Sequence, residues 1–515
     1  MVDNKDQPGG KYFSDLFQIA KGAGVTFSGT VSGKALLLFY TIFLAKVLGA
    51  GDLGLYFLGV TVVRLLTITA SLGLGAGVVR YVAIYRGRDD ICRMKGTVLI
   101  SAALTIVTSL LLVGLVFLVG DFVATSILHK PELGTVIKLL SLSIPFESLM
   151  RIFLASTRGL KLMQYVVYTE NLTWVGLRFL FAIFFIFVLG WGLKGVVLAY
   201  VASSIFAAGL ALYYTNKYIP LLDKKTIPLF EIKNLLGFSL PMVFTVMFHD
   251  LMTRVDILML GLFVSATEIG IYSIAVRILA LAQVIFMVFQ PIFQPFVAEL
   301  HTRREFERLS NLLKSVTSWS VTLSFPVFLS LFSFPGFFLQ IFGKEFDRGA
   351  ACLSVLAIAY ILSSISNLPS SMIFMSGRSD ITLKNNLAVL IINTALNYLL
   401  IPRYGILGAA CATGTSLVFL SVIRITEIYF LMKISPFKIE LWKPLSAGLV
   451  SFSVVMFICK NIAADGITIV ISLLSLLFVL YSLLMYLFRV NEEDLYMKEV
   501  IKKKLLSFSK SGAGT

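Results

Sequence analysis

The sequence predicts an all-α integral membrane protein of about fourteen transmembrane helices, arranged as two pseudo-symmetric six-helix lobes plus two C-terminal helices. Three observations carry that prediction: the composition is too apolar for a soluble fold, the apolar residues fall in long runs, and the turns between runs recur at a constant offset. Apolar residues make up 58% of the 515 and charged residues 14%, and the mean hydropathy is +0.90. A soluble domain holds roughly 45–50% apolar and about 25% charged residues. Burial of this chain in water would leave large apolar patches exposed, which excludes a soluble enzyme.

A helix needs about 20 apolar residues to cross the hydrocarbon layer. Cutting the chain at charges and turn residues gives candidate spans at 23–48, 52–84, 97–119, 136–157, 166–189, 194–216, 235–263, 269–298, 310–334, 350–375, 382–401, 405–432, 444–461 and 467–488. Several exceed one bilayer thickness, so tilt or extension into the interface is expected. Segment 1–22 places Phe13, Leu16, Phe17 and Ala20 at helical spacing and suits an amphipathic helix on the cytoplasmic surface. It lacks a signal-peptide pattern, so the first span is expected to stay. Pro335, Gly336, Phe337 and Phe338 suggest a short interfacial turn between the ninth and tenth spans.

Basic residues orient the chain. With the N-terminus inside, the cytoplasmic segments hold 27 of the 44 Lys and Arg and the external loops hold six. Both termini are therefore expected in the cytoplasm, in the cell membrane. That bias accounts for most of the net charge of +16, so no nucleic-acid partner is implied. Lys502, Lys503 and Lys504 in the tail 489–515 read as a solvated or lipid-facing cluster.

The chain repeats itself. Gly51-Asp52-Leu53-Gly54-Leu55-Tyr56 follows the first span, and Thr267-Glu268-Ile269-Gly270-Ile271-Tyr272 follows the seventh, 216 residues later. Gly192-Leu193-Lys194-Gly195-Val196 and Gly405-Ile406-Leu407-Gly408-Ala409 stand 213 apart. This defines an N-lobe (23–216), a cytoplasmic linker (217–234), a C-lobe (235–432), two further spans within 433–488, and the tail. Six is even, so the lobes run in the same sense, and paired lobes of this kind hold substrate near the midplane between them.

Ionisable groups inside spans are costly and point to cavities or partners. Lys46, Arg80, Lys138, Arg151, Lys314 and Arg424 lie near span ends and read as anchors. Lys34, Arg64, Arg178, Arg254 and Arg277 lie deeper. Lys34 shares a helix face with Phe27, Thr30 and Thr41, Arg64 with Phe57 and Ser71, and Arg178 with Asn171 and Trp174. The span boundaries put Glu147 and Glu170 close to cytoplasmic ends, which leaves the N-lobe cations few acids. A positive cavity selects anions, and arginine suits phosphate through bidentate hydrogen bonds.

The seventh span reads His249-Asp250-Leu251-Met252-Thr253-Arg254-Val255-Asp256. Asp250 and Arg254 are spaced to pair. His249 and Asp256, seven apart, suit either a site coupled to protons or a cation, or structural charge balance. Gln283, Gln290 and Gln294 form one stripe on the eighth span, and Asn386, Asn393 and Asn397 another on the eleventh. Amide rows, with Trp174 in the N-lobe, suit sugars and equally suit helix–helix hydrogen bonding. Among these, Trp174, Gln283, Gln290 and Asn393 are the sugar candidates, and His249, Asp250 and Asp256 the coupling-ion candidates.

No catalytic residue, cofactor or metal centre is expected. His129, His249 and His301 are scattered, and Cys92, Cys352, Cys411 and Cys459 show no paired spacing. A GxxxxGK[ST] nucleotide loop is absent, so transport is expected to draw on H+, Na+, the membrane potential or the substrate gradient. The external loops are too short for a membrane glycosyltransferase or polymerase domain.

Phe43-Leu44-Ala45-Lys46-Val47-Leu48-Gly49 running into Gly54-Leu55-Tyr56, and the repeat near Gly270-Ile271-Tyr272, resemble the MOP superfamily. The likeness is to its polysaccharide-exporter branch of Wzx-type and MurJ-like lipid-linked oligosaccharide flippases. The resemblance spans essentially the whole chain. It implies alternating access around a central cavity that carries a polyprenyl-pyrophosphate-linked glycan between leaflets. It also implies a monomer that works beside other glycan-assembly membrane proteins. Cations in spans one, two, seven and eight would bind the pyrophosphate, and Lys34, Arg64, Arg254 and Arg277 occupy such places; Arg178 rests on its depth in the fifth span and the polar face it shares with Asn171 and Trp174 alone. The last two spans would form a lipid-tail groove or pack at the periphery. The alternative is a MATE-like multidrug exporter, which would be expected to carry acidic residues in the cavity.

Overall fold

The computed structural model describes the backbone of residues 8–376, 378–461 and 466–488, and the side chains from Ser28 onward with a few exceptions, His249 among them. Residues 1–7 of the expected amphipathic segment and the tail 489–515 lie outside the described residues. All regular elements among the described residues are helical. The first half holds α1 (Pro8–Ala70), α2 (Leu74–Arg86), α3 (Ile91–Phe122), α4 (Pro131–Ser141), α5 (Ile144–Gly159), α6 (Gln164–Val166), α7 (Trp174–Ile183) and α8 (Gly192–Tyr218). The second holds α9 (Ile232–Met252), α10 (Val255–Phe263), α11 (Ala266–Ala282), α12 (Val284–Thr302), α13 (Phe306–Ser333), α14 (Pro335–Gln340), α15 (Ala350–Ser363), α16 (Asn367–Met375) and α17 (Ser379–Met432). Helices α18 (Trp442–Asn461) and α19 (Ile467–Leu487) follow.

Among the described residues, eleven helical stretches are long and apolar enough to cross a membrane, and the chain is a multi-pass membrane protein. The division keeps the sequence's turns near Gly49 and Gly405 as kinks inside α1 and α17, and departs from the sequence reading where, among others, spans 52–84, 136–157, 235–263 and 269–298 are each broken into two helices. α1, at 63 residues, would be about 95 Å long if straight, and the non-helical Gly49 (φ 73°) interrupts it. α17 is interrupted in the same way at Gly405 (φ 56°). Span 136–157 is broken into α4 and α5 at Leu142 and Ser143, and neither piece is long enough alone. Leu118 and Phe187, 84% and 68% exposed, show where the bundle offers its apolar outer face to lipid.

The repeated turns seen in the sequence meet in space. α1 packs along α11, and the crossing is made by Gly54 and Gly270. A Cβ on Gly54 would fall 1.8 Å from the Ala266 carbonyl, and one on Gly270 would fall 2.0 Å from the Ala50 carbonyl. Only glycine lets the backbones approach this closely. The second pair of turns also matches, since Gly192 and Gly405 both adopt positive φ.

The linker 217–234 is docked onto the start of α3. Lys95 Nζ donates to the Asp223 and Thr226 carbonyls, and the Leu229 amide donates to the Cys92 carbonyl at 3.1 Å. Glu231, at the N-cap of α9, pairs with Arg93 at 2.9 Å and accepts from the Tyr85 hydroxyl at 2.8 Å. Helices α18 and α19 attach to α13, where Phe325 and Leu329 pack with Ala447 and Tyr481.

Candidate functional site

Charge inside the bundle is gathered along the seam between the two halves. The helix of the seventh span ends at Met252 because the Thr253 and Arg254 amides bond back only three residues, to the Asp250 and Leu251 carbonyls. α10 restarts at Val255. Across that break Arg254 Nε donates to Asp250 Oδ2 at 2.9 Å, the pairing that the sequence spacing predicts. Asp250 also faces the other half, with Arg64 Nε 4.0 Å from its Oδ1. Arg64 and Arg254 keep about a quarter of their side-chain surface exposed (24% and 28%). Ionisable side chains inside a bundle of spans face a partner or a water-filled cavity, so the seam is where a charged ligand would be met.

Behind Arg64 stands Glu147, with no exposed surface. It accepts from Arg64 at 3.4 Å, from Arg151 at 2.8 Å and from the Tyr200 hydroxyl at 3.0 Å. The sequence reading put Glu147 near a cytoplasmic end and treated Arg151 as an anchor; both are corrected here. The span runs over α4 and α5 from Pro131 to Gly159, so Glu147 lies near its middle, and Arg151 one turn on is its partner. The N-half cations therefore do have an acid.

Tyr200 ties Glu147 to Arg178. The Arg178 guanidinium lies 4.2 Å from the Tyr200 ring centre and 4.3 Å from that of Trp174, so two aromatic faces hold it. The Trp174 indole N–H donates to Ser204 Oγ at 3.2 Å. Trp174 is thus a buried clamp for Arg178 rather than an open sugar platform. Arg277, from α11, lies over the Phe57 ring at 3.8 Å. Lys34 reaches across the seam to the Ala280 carbonyl at 3.5 Å. Asn171 donates to Thr30 at 3.3 Å, which fixes the polar face of the first span against the fifth. Three of the five predicted cations, Arg64, Arg254 and Arg178, form one connected region, completed by Glu147, Arg151, Tyr200 and Asp250; Arg277 and Lys34 make their contacts at Phe57 and Ala280.

A second polar cluster lies wholly in the C-half. Asp256 is buried and accepts from Thr413 at 2.6 Å, Tyr272 at 3.0 Å and Asn397 at 3.0 Å. Asn397 also donates to Asn393 at 2.6 Å. A cavity of about 130 Å³ opens beside it, lined by Thr253, Asp256, Tyr360, Asn393, Thr413 and Ser416 among others. Asn397 Oδ1 and Ser416 Oγ are buried there without hydrogen-bond partners among the described residues. The predicted pairing of Asp256 with His249 across seven residues spans the break at Thr253 and Arg254, so the two do not share one continuous helix face. The His249 side chain lies outside the described residues. The Gln283–Gln290–Gln294 stripe is likewise interrupted, because Gln283 sits at the junction of α11 and α12. Asn393, predicted from its row with Asn397, does face the Asp256 cluster.

Comparison with known proteins agrees with this architecture. The family model described as polysaccharide biosynthesis protein matches residues 19–301, more than half of the chain, and the MatE model matches residues 241–399. The probable low-salt glycan biosynthesis flippase Agl15 of Haloferax volcanii is 23% identical over 412 residues, covering 77% of this chain and 81% of that protein. The putative O-antigen transporter of Shigella flexneri is 24% identical over 380 residues, covering 72% and 87%. Among solved structures, the lipid II flippase MurJ in an inward closed conformation superimposes with a TM-score of 0.74 at 16% identity, covering 90% of this chain and 98% of that one. An inward-facing MATE family multidrug transporter gives 0.67 at 15%, covering 80% and 98%. By the extent of the family match and the fold, this chain belongs to the polysaccharide biosynthesis protein family of the MOP superfamily.

Proposed function

We propose that the protein is a flippase that moves a polyprenyl-pyrophosphate-linked oligosaccharide across the cell membrane by alternating access, with both termini cytoplasmic. The observation that carries this reading is the set of part-exposed guanidiniums along the seam. Arg64 and Arg254 come from opposite halves and share one carboxylate, Asp250, between them. A pyrophosphate has more negative charge and more acceptor oxygens than that carboxylate, and it suits two guanidiniums better. Arg277 and Arg178 extend the positive field, and Lys34 stands where the first span meets the end of α11.

In this reading Glu147 is a positioning residue. It orients Arg64 directly and Arg178 through Tyr200, while its own burial keeps it from facing substrate. The names of the relatives, a glycan flippase and an O-antigen transporter, support the substrate class.

The Asp256 cluster is proposed as the coupling site. One carboxylate surrounded by neutral hydroxyl and amide oxygens suits a monovalent cation or a proton. Among the described residues, no group of three or more His, Cys, Asp or Glu could hold a metal. Gln283 and Gln290 remain candidates for sugar contact.

The MatE match favours a second reading, an ion-coupled multidrug exporter. An organic cation would need acidic residues open to the cavity; at the seam Asp250 is paired with Arg254 and faces Arg64, and Glu147 is enclosed by two arginines and a tyrosine.

The test is a deletion strain analysed for lipid-linked oligosaccharide. Accumulation in the inner leaflet, reversed by the parent gene and not by Arg64→Ala or Arg254→Ala, is expected. Sensitivity to cationic dyes without accumulation would overturn the flippase reading.

A further inference from the structure

Two contacts outside the substrate seam tie the halves together at the end of the bundle that carries Gly49 and Gly405, the external end by the charge distribution. Gly49 breaks α1, so the Ala50 amide opens the next helical segment without a partner of its own. Glu345, from the short helix Lys344–Gly349 ahead of α15, accepts that amide at 2.8 Å. On the other side, the carbonyl of Gly261 belongs to the last turn of α10 and lacks an intrahelical donor. Lys130, the N-cap of α4, donates to it at 2.6 Å and to its own Leu128 carbonyl at 3.0 Å.

The two residues stand 215 apart, between the offsets of 213 and 216 that separate the repeated turns, and each precedes the fourth span of its own half. Each half thus lends a charged side chain to a helix end of the other. The signs fit the helix dipoles, with a carboxylate at an N-terminal amide and an ammonium at a C-terminal carbonyl. Between the two contacts lies the Gly54–Gly270 crossing.

We propose that Lys130 and Glu345 form a reciprocal clasp that latches the two halves shut at this end, and that both contacts release when the seam opens there. The clasp acts on the lobe motion, whatever cargo the seam carries.

The test places spin labels at Lys194→Cys and Arg403→Cys, exposed positions at matching turns of the two halves, with the four native cysteines replaced. Distances are measured on the full chain in lipid nanodiscs. Lys130→Ala and Glu345→Ala are each expected to raise the long-distance population about tenfold, as loss of a charge-assisted hydrogen bond implies, and the double variant more than either. Lys130→Arg and Glu345→Gln keep a donor and an acceptor and should stay close to the parent. Alanine variants whose distances superimpose on the parent, or conservative variants that open as far as the alanines, would overturn the clasp.

Discussion

The N-half and the C-half each bury an acid, and they treat it in opposite ways. Glu147 is held by two guanidiniums and a phenol, so its charge is met by more positive charge than it carries. Asp256 is held by Thr413, Tyr272 and Asn397, all neutral, so its charge is solvated by dipoles and left unbalanced. A carboxylate with surplus cations around it makes a region that attracts an anion. A carboxylate with only neutral partners makes one that attracts a cation or a proton. The turns recur at an offset of about 215 residues, while the buried acids of the two halves are given opposite surroundings.

The largest effect that sharpens this contrast should come from the seam arginines. Arg64→Ala or Arg254→Ala is expected to weaken binding of a pyrophosphate lipid at least about thirtyfold, the ratio matching about 2 kcal/mol for a lost charged contact. Equilibrium binding to the purified protein checks this. On the other side, Asp256→Asn keeps the size of the side chain and removes its charge. Transport in proteoliposomes should then lose its response to an imposed pH or Na+ gradient, while pyrophosphate-lipid binding stays at the parent value. A variant that loses binding and keeps gradient dependence would reverse the assignment of tasks.

A subtler probe is Glu147→Gln, because the two roles open to Glu147 differ in sign. If it only neutralises, removing its charge leaves the seam more positive and anion binding tightens. If it positions Arg64 and Tyr200, binding weakens, by roughly tenfold for one charge-assisted contact; the positioning role predicts weakening, with partial recovery in Glu147→Asp.

The smallest effect concerns the docked linker. Hydrogen bonds from Asn234 and Tyr85 and the nearby Arg93 hold the Glu231 carboxyl below its usual range, while the Tyr85 phenol is pushed up to about 12 by burial and by Glu231. With a lowered folded value, the docking contribution of Glu231 is full above the pKa of the free side chain and fades as pH falls through the folded one. Protection factors of the amides in 223–234, taken relative to the intrinsic exchange rate at each pH, should therefore fall on acidification in the parent and stay level in Glu231→Gln.

Much of this was legible in the sequence, for physical reasons that can be named. Long apolar runs report spans because lipid demands them, and Gly54 and Gly270 were visible as a repeat because a backbone crossing excludes every other residue. The Asp250–Arg254 pair was readable because it lies on one helix turn. What stayed hidden depended on contacts between distant segments. Glu147 was misplaced because its span is broken at Leu142 and Ser143, which lengthens it on one side and moves Glu147 to mid-depth. Arg151 was assigned as an anchor for want of that partner. The sequence leaves Trp174 free for sugar because nothing in it brings Tyr200 to Arg178. The stripes through His249 and Gln283 assumed continuous helices where α9 and α11 end, and the chain carries no glycine or proline at either junction to announce it.

The most direct test of the central claim, that surplus seam cations select a pyrophosphate, is a headgroup comparison on the intact protein. Binding of a short polyprenyl pyrophosphate is measured against its monophosphate and against a lipophilic cation, at several salt concentrations, for the parent and for Arg64→Ala/Arg254→Ala. The account predicts that pyrophosphate binds more tightly than monophosphate, that salt weakens both, and that the double variant erases the difference. Equal affinity for the two phosphates in the parent, or preference for the cation, would contradict it.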